Sequence, residues 1–293
     1  MRNFLSLVKA FVKRLFVKFG CLILKLKLTS DRDLINFLSF LQENTTAFEL
    51  VRVGGDGDGG YLLPNDFEGM NLCFSPGVGE NSRFEFDLVS KYGFHCWLAD
   101  HSVSSPAIIH PRIHFTKKFV GVVNNYKYLR FDDWVEGVCS YNQSSELLLQ
   151  MDIEGAEFGV LLDASDNILK RFRTIVVEFH QLEKMFDQNE FNLIQLTFKK
   201  LLKQFIIVHA HANNAAPVFK RGKVAIPSVI EFTFLRRDRV HHIKPLGFEL
   251  HPLDQPNVPQ NAAIDLSNYW SFYKNFSRRP IKTDNSQRLM SNI

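Results

Sequence analysis

Seven short apolar runs, parted by stretches of helical spacing, do most to limit what this chain can fold into. "NLCFSPG", "GFHCWLAD", "IHFTKKFVG", "ELLLQMDI", "RTIVVEFH", "FIIVHAHA" and "VIEFTFLRR" read as strands. Between them, "RFEFDLVSKY", "GAEFGVLLDA" and "EFNLIQLTFKKLLKQF" repeat apolar residues with the period of a one-sided helix. Strands alternating with helices predict an α/β fold, a mostly parallel, doubly wound sheet covered on both faces. The last two runs lie close together, which predicts an antiparallel strand at one edge. "DRDLINFLSFLQENTT" adds a helix ahead of the first strand, and "VRVGGDGDGGYLLPND" a Gly/Asp-rich loop between two short β-like pieces.

Residues 29–255 hold all of these elements and are expected to form one domain. The chain's 293 residues, 45% hydrophobic, are enough for a large core plus extensions. Residues 256–293 form a C-terminal extension in which Pro and Asn rise from "QPNVPQN" onward, with a disordered tail expected after about 280. Residues 1–28 carry seven Lys and Arg and no acid, so a total of +4 leaves −3 for the rest. That mildly acidic remainder disfavours a general nucleic-acid binder. The leader's uncharged runs are too short to span a bilayer, which takes about 20 apolar residues. Its basic amphipathic pattern suits an anionic membrane surface, a helix packed on the domain or on a second subunit, or a targeting presequence. Cys21, Cys73, Cys96 and Cys139 are scattered without a CxxC pair, which argues against a zinc knuckle or a disulfide framework. Cys73 and Cys96 fall inside strand-like runs and read as core residues.

The chemistry concentrates where strands end. "FSPGVGENSRFEFDL" follows a strand and leads into a helix, and Gly77 and Gly79 let backbone approach a ligand closely. Asp100, in "WLADHS", closes the next strand about 20 residues on, where such folds grip a ribose. An adenosine-type ligand follows from that pairing. A dinucleotide fingerprint wants a third glycine where this chain has Ser82, and no GKS or GKT is present to make a phosphate-binding P-loop. A ligand without a pyrophosphate, such as S-adenosylmethionine, asks less of that third position.

The order of motifs resembles the FkbM-type family of S-adenosylmethionine-dependent methyltransferases, in a branch with a "DGGY" element before the first strand. The pieces that carry the resemblance are "RVGGDGDGGYLLPND", "CFSPGVGENSRFE", "LADHS", "LRFDDWV", "LLLQMDIEGAEFGVL", "IVVEFHQLE", "VHAHANN" and "IPSVIEFTFLRR", over roughly residues 50–237. The resemblance implies a Rossmann-like class I methyltransferase fold and methyl transfer, commonly to oxygen on sugars or secondary metabolites. It also implies cofactor contacts from Asp58, Tyr61, Ser75, Gly77, Gly79, Asp100 and Asp152. The chain departs from the family's pattern at two points. Ser75 stands where an acid usually opens the glycine loop, with Glu80 or the loop around Asp58 as candidates to compensate. Gln150 stands where many relatives have Lys.

"LLLQMDIEGAEFGVLL" ends an aliphatic strand in Asp152, Glu154 and Glu157. Asp152 is expected at the strand's end beside the reacting centre, with Glu154 in support. Glu157 is expected to do little more than begin a helix, where the dipole favours negative charge. Glu178 and His180 end the next strand, and His209, His211 and Asn213 the one after. Methyl transfer to a hydroxyl needs a base, which gives His180 and His211 as candidate bases and Asp152 or Glu178 as their orienter. The same four residues, Asp152, Glu178, His180 and His211, are the candidates to hold a divalent ion such as Mg²⁺. Asp132 and Asp133 are expected to cap a helix that begins at Trp134. The resulting expectation is a cytoplasmic enzyme that O-methylates a sugar hydroxyl of a glycan or lipid-linked saccharide, held at the inner membrane face by its leader. Two rivals remain open: an NAD-dependent oxidoreductase on the same fold, and a non-catalytic membrane-surface or glycan-binding module.

Overall fold

The computed structural model describes residues 27–139 and 146–270. Nearly all of the basic leader lies outside the described residues, as does the tail expected to be disordered.

Helix α1 (Asp31–Glu43) starts where the Ser30 hydroxyl accepts the Asp33 N–H, and it buries Leu34, Phe37, Leu38 and Leu41. A hairpin follows, β1 (Leu50–Val53) paired antiparallel with β2 (Tyr61–Pro64), and its tip is the Gly/Asp-rich loop. Then come β3 (Leu72–Pro76), α2 (Arg83–Tyr92), β4 (His95–Ala99) and β5 (Ile113–Thr116). "IHFTKKFVG" is not one strand. A turn from the Lys118 N–H to the Thr116 carbonyl breaks it, and β6 (Phe119–Gly121) leaves the main sheet to pair with β7 (Tyr128–Arg130). Helix α3 (Phe131–Cys139), β8 (Leu147–Met151), α4 (Glu157–Asp163), α5 (Asp166–Leu169) and β9 (Phe172–Phe179) lead to the long helix α6 (Gln188–Gln204). The last elements are β10 (Phe205–Ala212), the β11–β12 hairpin (Val218–Arg221, Val224–Pro227), β13 (Ile230–Arg236) and a short α7 (Ser267–Trp270).

The main sheet runs β10-β13-β9-β8-β3-β4-β5. The pairs from β9 to β5 are parallel, while β13 is antiparallel to both β9 and β10. The antiparallel pairing is thus at the expected edge, with β13 wedged inside it and β10 outermost. The central strands are buried throughout, and the two-residue period of strands decides which of two cores each side chain joins. Leu147, Leu149 and Met151 of β8 join the larger core with α1, α3 and α6, whereas Leu148 points into a second core with β1, β2 and α2. Cys73 and Cys96 are register partners on β3 and β4, and both are fully buried. The strand order reverses between β3 and β8, the switch point at which doubly wound sheets bind ligands.

One expectation is corrected. Helix α3 begins at Phe131 rather than Trp134, so Asp132 sits inside its first turn, where its carboxylate accepts the Ser165 N–H. The first part of the C-terminal extension packs against the domain. Residues beyond 255 form a bridge from Ile264 to Ala212, and Trp270 is buried with its indole N–H on the Ala225 carbonyl. The Pro/Asn-rich segment is a strap along the β10 edge, held to the β11–β12 hairpin at Trp270.

Candidate active site

Gly77 holds the two strand ends of the switch point together. Its φ is +85°, and a Cβ there would stand 1.5 Å from the Asp152 carbonyl oxygen, so only glycine lets β3 and β8 end side by side. The Gly77 N–H donates to Ala99 O and the Asp152 N–H to Pro76 O, stitching three strand ends into one rim. Gly79, with φ +52°, faces open space. Its N–H donates to Asp100 Oδ2 at 2.9 Å, and the other Asp100 oxygen accepts from Ser102 N and Oγ.

Two cavities straddle this loop and share Gly77, Gly79, Asp152 and Glu154. One, of about 430 Å³, has Asp100 and Ser102 at its edge and apolar walls that include Phe119, Val120 and Ile153. The other, of about 350 Å³, is more polar and is bounded by Asp58, Tyr61, Glu85 and Gln150. An elongated ligand with one apolar ring system and one charged end matches this division. A larger apolar cleft of about 680 Å³ lies on the far side against Trp97, Leu129 and Trp134, and none of the expected site residues lines it.

Ser75 is corrected. It is fully buried and lines neither cavity. Its Oγ contacts Glu85 Oε1 and lies 2.5 Å from Gln150 Oε1, and Gln150 Nε2 donates to the Tyr61 hydroxyl at 3.3 Å. A serine hydroxyl has one proton to give, so it donates to only one of these two oxygens at a time. Burial pushes the Glu85 carboxyl up to about 7, against the pull of the Ser75 bond. Tyr61 is pushed well above its ordinary value, by burial first and then by Asp152 and Glu178. It acts as a neutral hydroxyl in the cavity wall.

The three acids that follow β8 separate sharply. Glu157 has no exposed surface; its Oε1 accepts the Ile153 and Gly155 N–H groups at 3.1 and 3.0 Å and contacts His180 Nδ1 at 3.1 Å. Helix-start electrostatics is therefore too small a role for it. A carboxylate can only accept, so Nδ1 carries the proton and Nε2 is left to face Asp152 Oδ1 at 3.7 Å and Glu154 Oε2 at 3.6 Å. Burial disfavours charge on His180, but the bond to Glu157 and the fields of Glu157, Asp152 and Glu178 outweigh it and carry the ring up to about 9. Asp152 is raised, by burial and then by Glu178, with His180 opposing. Glu154 is a solvent-facing acid, its side chain 87% exposed. Glu154 and Gln181, each just beyond a strand end, hold positive φ of 56° and 60°, backbone strain of the kind that gathers at functional sites.

His211 is not beside His180. Glu178, Glu231 and His211 are register partners across β9, β13 and β10 and form a buried row. His211 Nδ1 lies 3.5 Å and His209 Nε2 2.9 Å from Asp254 Oδ1, on the strap. The Asn257 amide lies 3.1 Å from Glu231 and 3.2 Å from Asp58. Glu178 accepts the Asn213 amide at 2.8 Å. A pairing of His211 with Asp152 is thereby replaced by one with Asp254. The four-residue metal set is corrected too: Asp152, Glu154 and His180 are the described residues whose ligand atoms lie within 4.8 Å of one another, without Glu178 or His211.

Residues 102–205 match the model of the methyltransferase FkbM domain. Over that stretch, about a third of its length, the chain is similar to FkbM methyltransferases. Its matched span holds Asp152, Glu157, Glu178 and His180, and the family implies S-adenosylmethionine as cofactor. The chain is also similar to a solved E. coli structure described as a DNA modification methyltransferase encoded within a prophage. That likeness has 13% identity and a TM-score of 0.37, over 64% of this chain and 52% of that one. It is similar as well to a mutant 16S rRNA (adenine(1408)-N(1))-methyltransferase from Catenulisporales acidiphilia, at 12% identity and a TM-score of 0.29, over 69% of this chain and 100% of that one. This chain thus spans about half the length of the first of these. No curated protein matches it. Among its described residues, no helix is long and apolar enough to cross a membrane.

The residues present fit that cofactor. A close approach at Gly77 that only glycine permits, an acid braced against Gly79 at Asp100, and a buried carboxylate oxygen without a partner at Glu85 suit its backbone approach, ribose and charged end.

Proposed function

We propose that this protein O-methylates a hydroxyl, on a sugar of a glycan or lipid-linked saccharide, with His180 as the general base. The observation that carries the reading is the brace under His180. Glu157 fixes the ring by Nδ1, and Nε2 is turned toward Asp152 at the switch point. The cofactor supplies an electrophilic methyl group. His180 Nε2 takes the acceptor's proton, Glu157 stabilises the imidazolium that results, and Asp152 and Glu154 hold acceptor hydroxyls beside it. Raised toward 9, His180 is mostly protonated at neutral pH in the resting site. A positive charge bound beside Asp152 opposes that shift and readies the base.

A second reading uses the same corner. The unpartnered Asp152 Oδ1, with Glu154 and His180, offers three ligand atoms at metal-site spacing for a divalent ion that would acidify the acceptor. Activity that survives chelation removes it.

The basic leader would keep the enzyme against the cytoplasmic face of a membrane that bears its acceptor, a role supported by its charge pattern alone. Turnover of S-adenosylmethionine on host extracts, followed by mass analysis of the saccharide fraction, tests the reaction. One added methyl on a sugar supports it, and methyl found on protein or nucleic acid overturns it. His180→Ala should lower turnover far more than cofactor affinity; equal loss of both would make the residue structural.

A further inference from the structure

The polar cavity beside the glycine loop is bounded by a carboxylate to which no motif assigns a part. Glu85 lies in the first turn of α2 and is 2% exposed. One of its oxygens meets Ser75, and the other, Oε2, has no hydrogen-bond partner. Among the described residues no Lys, Arg or His pairs with it. Leaving a buried oxygen unpaired costs about 1–3 kcal/mol, more when it is charged, so such an oxygen on a cavity wall points to a ligand that donates to it.

We infer that Glu85 seats the protonated α-amino group of the methyl donor, in place of an acid at the loop-opening position held by Ser75. The inference rests on the cofactor use proposed above. The apolar cavity with Asp100 at its edge suits the nucleoside end, so the amino-acid end falls on the other side of Gly77 and Gly79, where Glu85 is. An ammonium brings three donors and one charge, which matches a buried carboxylate with an open oxygen. Asp58, Glu80, Asp152 and Glu154 also border this cavity, but Asp58 is engaged by Asn257, Asp152 faces His180, and Glu80 and Glu154 stand in solvent. Ser75 is the positioning residue. Its hydroxyl meets Oε1 and leaves Oε2 as the carboxylate oxygen without a partner.

The test is calorimetric titration of the full chain with S-adenosylhomocysteine and with 5′-methylthioadenosine, which lacks the amino-acid end. Glu85→Gln should weaken S-adenosylhomocysteine roughly tenfold to hundredfold and leave 5′-methylthioadenosine within about twofold. The double variant Ser75→Asp/Glu85→Ser, which moves the carboxylate back to the loop, should recover part of the loss. Wild-type protein titrated with deaminated S-adenosylhomocysteine should show the same loss without any variant. Equal affinity of wild type for the deaminated and natural ligands overturns the inference, as does equal weakening of both nucleosides in Glu85→Gln. If wild type binds neither nucleoside, it is the cofactor proposal that has failed.

Discussion

Glu157→Gln is a nearly isosteric change that removes one charge from beneath His180. The amide oxygen of Gln can still accept from the Ile153 and Gly155 N–H groups, so the turn into α4 is kept and the loss is confined to the imidazole. A hydrogen bond to a charged group is worth about 1.5–3 kcal/mol, and the lower half applies because one edge of the ring reaches solvent. At about 1.4 kcal/mol per pH unit, the His180 midpoint should fall from about 9 by roughly 1 to 1.5 units. The sign for stability follows. A histidine raised in the folded state contributes fully below its unfolded value, about 6.5, and loses that contribution as pH climbs through its folded value. Wild type should therefore exceed Glu157→Gln in stability by about 1.5–2 kcal/mol at pH 6, and the gap should close as pH climbs from roughly 7.5 to above 9. Histidine NMR titration reads the first quantity and urea unfolding at the two pH values reads the second. An unmoved midpoint, or a stability gap that does not change with pH, would refute the brace.

Gly77→Ala should cost more than about 3 kcal/mol in urea unfolding, because positive φ and a backbone oxygen at 1.5 Å leave the methyl nowhere to go. A cost under about 1 kcal/mol would mean that the strand ends can part. Trp270→Ala should cost about 3–5 kcal/mol, since the indole is buried and bonded to Ala225; a loss within about 0.5 kcal/mol would return the strap to the status of a loose tail.

The framework was legible in the sequence because it is local. Strand runs, helix spacing and the glycine loop each depend on neighbours in the chain, and Asp100 and Asp152 follow from where strands stop. The acids that brace the site were harder to see, although a signal existed. Glu85 precedes Leu88 and Val89 by three and four positions, and Glu157 precedes Val160 and Leu161 in the same way, so each lies on its helix's buried stripe. A carboxylate among core positions demands a partner; Ser75 comes from the strand before the helix of Glu85, and His180 from just past the strand after the helix of Glu157. Spacing could not supply those pairings. The second histidine was misassigned for a related reason. His211 sits on β10, two strands from β9, and its acid arrives from Asp254, in a segment whose composition reads as linker.

The central claim is that the switch point between β3 and β8 binds the methyl donor. Calorimetric titration of the full chain with S-adenosylhomocysteine, run beside NADH, tests it most directly. The account predicts one S-adenosylhomocysteine per chain, lost or strongly weakened in Asp152→Ala, and no heat from NADH. Binding of NADH, or S-adenosylhomocysteine affinity indifferent to Asp152, would contradict it.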